Sequence, residues 1–148
     1  MKGGAYLLLV ELEAPLDLGR FRIAPGELVY LGSARRCFGP RLLRHARRLK
    51  GPPHPALAAF EARFPGARGR KGALFWHVDH LLEAESARLV GALLFFGESE
   101  ARLLPRLLAL GAEVAAPGIG ASDARAPSHL FRLPHWRLAG LSGGVWVR

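Results

Sequence analysis

The chain has 148 residues, half of them hydrophobic, with a net charge of +9 and a single cysteine, Cys37. That length and apolar content suit one domain, 1–148, with a real core, and exclude a disordered basic tail. One cysteine excludes an intramolecular disulfide, and the apolar run at 5–10, cut off by Glu11 and Glu13, is too short for a signal peptide or a membrane span. A cytoplasmic protein is therefore expected.

Residues 5–14 are β-prone and apolar, which predicts a buried strand. Residues 15–25 form a turn region with a short extended piece at 21–23, and Pro25-Gly26 signals a turn before a second strand at 27–31. Their closeness in sequence predicts an antiparallel hairpin. Gly39-Pro40 then opens a helix over 40–50, because proline suits the start of a helix. On that helix Leu42, Leu43, Ala46 and Leu49 fall on one side, and Arg41, Arg44, His45 and Arg48 gather on the opposite arc. Arg41 and His45, four apart, can reach the same object.

Residues 51–71, rich in Pro, Gly and Ala, predict an irregular excursion with one short helix. A second helix is expected over 75–86 and a central strand over 89–96. A third helix follows over 98–110, closed by Gly111, with Pro105 as a point of kinking or restarting. Residues 128–133 and 144–148 are candidate short strands. No internal repeat is present.

The charge is unevenly placed. Residues 28–78 hold eleven of the 21 basic side chains and one of the 12 acids, Glu61. Such concentration points to a polyanionic partner more than to general solubility, with Arg35, Arg36, Arg44, Arg47, Arg48 and Lys50 as the nucleic-acid-binding candidates. The chain lacks Asn, Gln and Thr, and arginine far outnumbers lysine. A thermophilic origin and GC-rich coding drift both produce that bias.

Glu100 projects to the apolar side of its helix, defined by Leu103, Leu104, Leu107 and Leu108, while Glu98 lies about opposite. A carboxylate there is costly unless paired, protonated or bound to a metal, although a first-turn acid also suits the helix dipole. The run "FWHVDHLL" offers His77, Asp79 and His80, but their spacing is not the helical pairing of a metal site, so helix packing with polar edges is the preferred reading. Asp123 and His129 have no nucleophile elbow beside them, and "GIGASD" lacks the lysine and spacing of a phosphate-binding loop.

Taken in order, "GAY" at 4–6, "YLGSA" at 30–34, "RLLRH" at 41–45 and Glu100 after the third apolar strand resemble the GIY-YIG nuclease superfamily. "FRIAPGELVYLGSA", "FWHVDHLL" and "GIGASDARAPSHLF" resemble a little-studied branch of it, domain of unknown function family 123, found alone or fused to base-excision glycosylases of the endonuclease III type. Ala124 and Ala126 stand where that branch commonly has cysteines. The resemblance implies an α/β (α+β) sandwich, with a three-stranded antiparallel central sheet flanked by helices.

It further implies hydrolysis of DNA phosphodiesters, in a repair setting, with one divalent cation, Mg2+ or Mn2+. In that reading Glu100, or alternatively Glu98, holds the metal. Tyr6 or Tyr30 orients or deprotonates the attacking water with His45 as a relay, Arg41 clamps the phosphate, and Gly32 permits the tight strand exit. A base-excision glycosylase is an implied partner. Two other readings stand beside it: a non-catalytic nucleic-acid-binding module on the same scaffold, and a basic protein that meets an acidic protein surface.

Overall fold

A computed structural model describes residues 3–19, 21–74, 77–116 and 129–148. Asp123, Ala124, Ala126 and the "GIGASD" run lie outside the described residues. The elements in chain order are β1 (Gly4–Leu12), β2 (Leu16–Asp17), β3 (Arg22–Ile23), β4 (Gly26–Ala34), α1 (Phe38–Ala46), α2 (Ala56–Arg63), α3 (His77–Glu83), β5 (Ala87–Phe96), α4 (Glu100–Ala109), β6 (Glu113–Val114), β7 (Leu130–Arg132), a 3-10 helix (His135–Gly140) and β8 (Val145–Val147).

The expected three-stranded sheet is corrected by these elements. One antiparallel sheet of six strands runs in the order β6-β7-β4-β1-β5-β8, and β2 and β3 form a separate two-stranded sheet. The physical reason lies at the edges. β4 and β5 would otherwise present unpaired backbone groups, and the three-residue strands β7 and β8 satisfy them by pairing with Leu28–Tyr30 and Ala92–Leu94. Strands that short carry little periodicity of their own, and two-residue β6 carries none.

β1 lies at the centre, with Tyr6 opposite Gly32 on one side and Leu94 on the other. Both faces of the sheet are covered, which explains why residues 5–10 are all buried instead of alternating. Tyr6, Leu8 and Val10 point to a layer of α1, α2 and α3 through Leu42, Leu43, Phe60, Val78 and Leu82. Ala5, Leu7 and Leu9 point to α4 and the 3-10 helix through Leu103, Leu107 and Leu138.

α1 starts two residues earlier than expected and ends four earlier. Its first residue, Phe38, is fully buried, and Pro40 sits in the first turn, where the missing N–H would have been unpaired in any case. Arg47 is already extended, so Leu49 falls beyond the helix and is 46% exposed. The N–H of His54 then donates to the carbonyl of Ala46 at 2.8 Å, turning the chain back toward the layer. The excursion at 51–71 contains α2, as expected of its apolar patch. α4 runs through Pro105 and is capped by Ser99, whose hydroxyl accepts from the Arg102 N–H at 3.2 Å.

Candidate active site

β1 and β4 set two tyrosines side by side on the α1 face. Tyr6 lies across the pair from Gly32, and a Cβ on Gly32 would come within 2.6 Å of the Tyr6 phenol oxygen. Glycine is therefore required by close approach: the ring occupies the space a side chain would fill. Two residues earlier on β4, Tyr30 shares that face and keeps 8% of its surface exposed, against 1% for Tyr6.

α1 brings His45 down onto both rings. The Tyr6 hydroxyl and His45 Nε2 are 2.8 Å apart, and the imidazole centroid lies 5.8 Å from that of Tyr6 and 6.3 Å from that of Tyr30. His45 is buried, not displayed on the cationic arc. By helical geometry it stands about 40° from Arg41 and about 60° from Leu42, so the helix alone leaves its direction open. The Tyr6 phenol decides it. Arg41, one turn earlier, is half-buried and donates a hydrogen bond to Tyr6.

Glu100 approaches from the other side of the sheet end. It occupies the first turn of α4, and its charge reaches both tyrosines. His129 Nε2 lies 3.4 Å from its carboxylate, held in place because the Leu31 N–H donates to the His129 carbonyl at 2.8 Å. Glu98 pairs with Arg102 at 3.7 Å. Both acids line a cavity of about 370 Å3 at the strand ends, together with Gly4, Ser33 and Arg35.

The electrostatics follow from burial. Burial, then the neighbouring Tyr30 and Glu100, pushes the Tyr6 phenol far above its ordinary value, with Arg41 opposing. Burial and Glu100 push Tyr30 up to about 12. Burial holds His45 down to about 3, with Asp79 opposing and Arg41, Lys71 and Arg44 adding to the depression. At neutral pH both phenols are protonated and the imidazole is neutral.

The cationic candidates divide into two sets. Arg35, Arg36 and Lys50 are exposed. Arg44, Arg47 and Arg48 instead reach the protein's own groups. Arg44 donates to the carbonyls of Arg70 and Ala73 and pairs with Asp79 at 3.2 Å. Arg47 donates to the Gly69 carbonyl, and Arg48 to those of Pro52, Leu82, Ala84 and Ala87. They tie α1 to the 69–73 segment and to the turn between α3 and β5.

Of the "FWHVDHLL" candidates, His77 opens α3, Asp79 is fully buried and His80 is exposed. The sequence reading missed His54, a buried imidazole whose Nε2 donates to the Leu82 carbonyl at 2.7 Å and whose Nδ1 accepts the Leu89 N–H at 3.0 Å. It also missed Lys71, whose buried amine lies 3.7 Å from Glu83. Isolated in Pro- and Gly-rich stretches, neither residue carries a periodic signal.

Among the described residues no group of three or more His, Cys, Asp or Glu could hold a metal ion. A half-buried carboxylate such as Glu100, lining the cavity at the strand ends, fits a hard cation that keeps most of its waters. No helix of the described residues is long and apolar enough to cross a membrane.

Fold and site together define an α+β domain that buries a tyrosine–histidine pair beneath an arginine-bearing helix and sets an acid at the strand ends. The model of one family, described as domain of unknown function DUF123, matches residues 5–140, and the chain belongs to that family. No curated protein and no solved structure gives a match.

Proposed function

We propose that this chain is a divalent-cation-dependent phosphodiesterase of the GIY-YIG nuclease kind, acting on DNA in repair. The observation that carries the proposal is the mutual reach of Tyr6, Tyr30, Arg41, His45 and Glu100, which come from two strands and two helices. A scaffold has no need to gather two phenols, an imidazole, a guanidinium and a carboxylate, because buried polar groups cost stability.

In this reading Arg41 holds a phosphate through its planar donors. Tyr30, the more accessible phenol, orients the attacking water or a phosphate oxygen. Tyr6, tied to His45, fixes the floor of the site. Glu100, with Glu98 as the alternative, would hold Mg2+ or Mn2+, which would supply charge neutralisation at the leaving oxygen. With Tyr30 near 12, a phenol acts as a base only when a neighbouring cation lowers its pKa. Arg35, Arg36 and Lys50 grip the nucleic-acid backbone, whereas Arg44, Arg47 and Arg48 hold the scaffold. A glycosylase that exposes a damaged site is a fitting partner for such a cut.

One observation favours a second reading, a nucleic-acid-binding module without hydrolysis. Both phenols are held protonated at neutral pH, so neither serves unaided as a base. Incubation of duplex, branched and abasic DNA with Mg2+ or Mn2+ separates the two. Wild type is expected to cut at least one substrate, with Arg41→Ala and Glu100→Ala each about 100-fold slower. Activity surviving both substitutions overturns the site. Binding to every substrate without cutting favours the module.

A further inference from the structure

A line of aromatic rings leads from the floor of the site to the surface. Tyr6 meets Phe38, the first residue of α1, edge to face at 6.3 Å between ring centroids. Phe38 in turn meets Phe96, the last residue of β5, at 5.0 Å and 85°. Tyr6 pairs with Leu94, so Phe96, two residues on, projects to the same face of the sheet. Tyr6 and Phe38 are buried, whereas Phe96 is 39% exposed.

Phe96 stands at the rim of the strand-end cavity. The next residue, Gly97, lines that cavity with Gly3, Gly4 and Glu100, and its N–H donates to the Gly3 carbonyl at 2.9 Å. Arg63, exposed at the end of α2, sets its guanidinium 5.1 Å from the Phe64 ring and 5.9 Å from the Phe96 ring. The end of α2 is fixed against the start of α1, just before Arg41. A Cβ on Gly39 would come within 3.1 Å of the Phe64 Cβ and 2.8 Å of the Ala67 Cβ.

The rim thus offers an oriented aromatic ring and a planar cation beside the cavity. An aliphatic protein surface would have no use for the guanidinium, and an acidic one no use for the ring. A nucleobase uses both, by stacking on the ring or the guanidinium plane while its phosphate meets positive charge. Bases inside a duplex already stack on each other, so only an unpaired base presents a free face.

We propose that Phe96 and Arg63 form a stacking subsite for an unpaired nucleobase at the rim of the strand-end cavity. The subsite rests on the nucleic-acid reading above and adds a substrate class to it, DNA with a base outside the duplex.

The test is fluorescence anisotropy of end-labelled duplexes with the full chain in EDTA, so that no cutting intervenes. One duplex carries a bulged nucleotide and the other the same bulge without its base. Wild type is expected to bind the first about tenfold tighter, and Phe96→Leu to bring the ratio close to one. Arg63→Lys, which keeps the charge and loses the plane, should lower the ratio about threefold. Equal wild-type affinities overturn the proposal, because bulge shape alone then explains binding. A loss of the same factor on both duplexes in Phe96→Leu also overturns it, since the ring then serves only packing. If Phe96→Leu does not fold, Arg63→Lys decides, and an unchanged ratio overturns the subsite. A wild type that binds no DNA sinks the nucleic-acid reading and the subsite together. A ratio that holds in a chain that cuts nothing with Mg2+ or Mn2+ sinks hydrolysis alone.

Discussion

On the face of the sheet covered by α4 and the 3-10 helix, Leu7, Leu9, Val29, Leu31 and Leu93 meet Leu103, Leu107 and Leu138. On the opposite face the same strands carry Tyr6 and Tyr30, which meet His45 within reach of Asp79 and Lys71. The two faces differ by one residue of register along β1 and β4. Aliphatic packing needs only volume and shape, whereas each polar group on the other face needs a partner and a defined charge. Leucines thus pack both faces, whereas the buried tyrosine–histidine cluster lies on one, with Glu100 reaching the strand ends from the helix on the other.

The sharpest way to break that contrast is Asp79→Ala. It strips Arg44 of its enclosed carboxylate and leaves a poorly solvated charge, a loss of about 3–5 kcal/mol in chemical denaturation. A cost below about 1 kcal/mol would mean that the pair is effectively solvated. On the other face, Leu7→Ala opens a cavity among fully buried neighbours and should cost about 3 kcal/mol. It should leave the His45 NMR signals in place, and movement of those signals would show that the two faces are coupled.

Gly32→Ala acts on the polar face by crowding. Its methyl would press on the Tyr6 ring and should cost about 1–3 kcal/mol while separating Tyr6 from His45. Its diagnostic is a change in the His45 side-chain NMR signals, since simple loss of stability would not alter them in the folded fraction.

The last effect is graded with pH. His45 and His54 are held at about 3 and about 4, against 6.5 unperturbed. Between those limits and 6.5 the unfolded chain binds protons that the folded chain refuses. Stability is therefore fully present above 6.5 and falls as the pH drops toward 4. The expected slope is about 1.4 kcal/mol per pH unit for each histidine once well below 6.5, read from urea midpoints at pH 7.5 and pH 5. For His54 the reason is geometric: its Nδ1 accepts the Leu89 N–H and cannot also carry a proton. A flat profile would show that both imidazoles titrate freely.

Much of this was legible along the chain. The runs at 5–14, 27–31 and 89–96 became the three long strands β1, β4 and β5, because residues buried on both faces read as unbroken apolar stretches. α1, α3 and α4 fell where leucine spacing put them, with ends displaced by capping and by the clamps of Arg47 and Arg48. Tyr6, Tyr30, Gly32, Arg41, His45 and Glu100 were all named from motif order. The division of the arginines was not legible. Arg44, Arg47 and Arg48 look identical to Arg35 and Arg36 in a charge count, and only the carbonyls that surround them assign them to the scaffold.

The sequence by itself determined the hydrophobic strand runs, the amphipathic helices and the concentration of positive charge at 28–78, since these depend on local order and spacing. Tertiary structure alone decided that the sheet has six strands, that His45 faces inward onto the Tyr6 phenol, and that Asp79 is enclosed against Arg44. Each of those depends on which backbone edge or buried polar atom lacks a partner, and partners in this fold come from residues far apart in the chain.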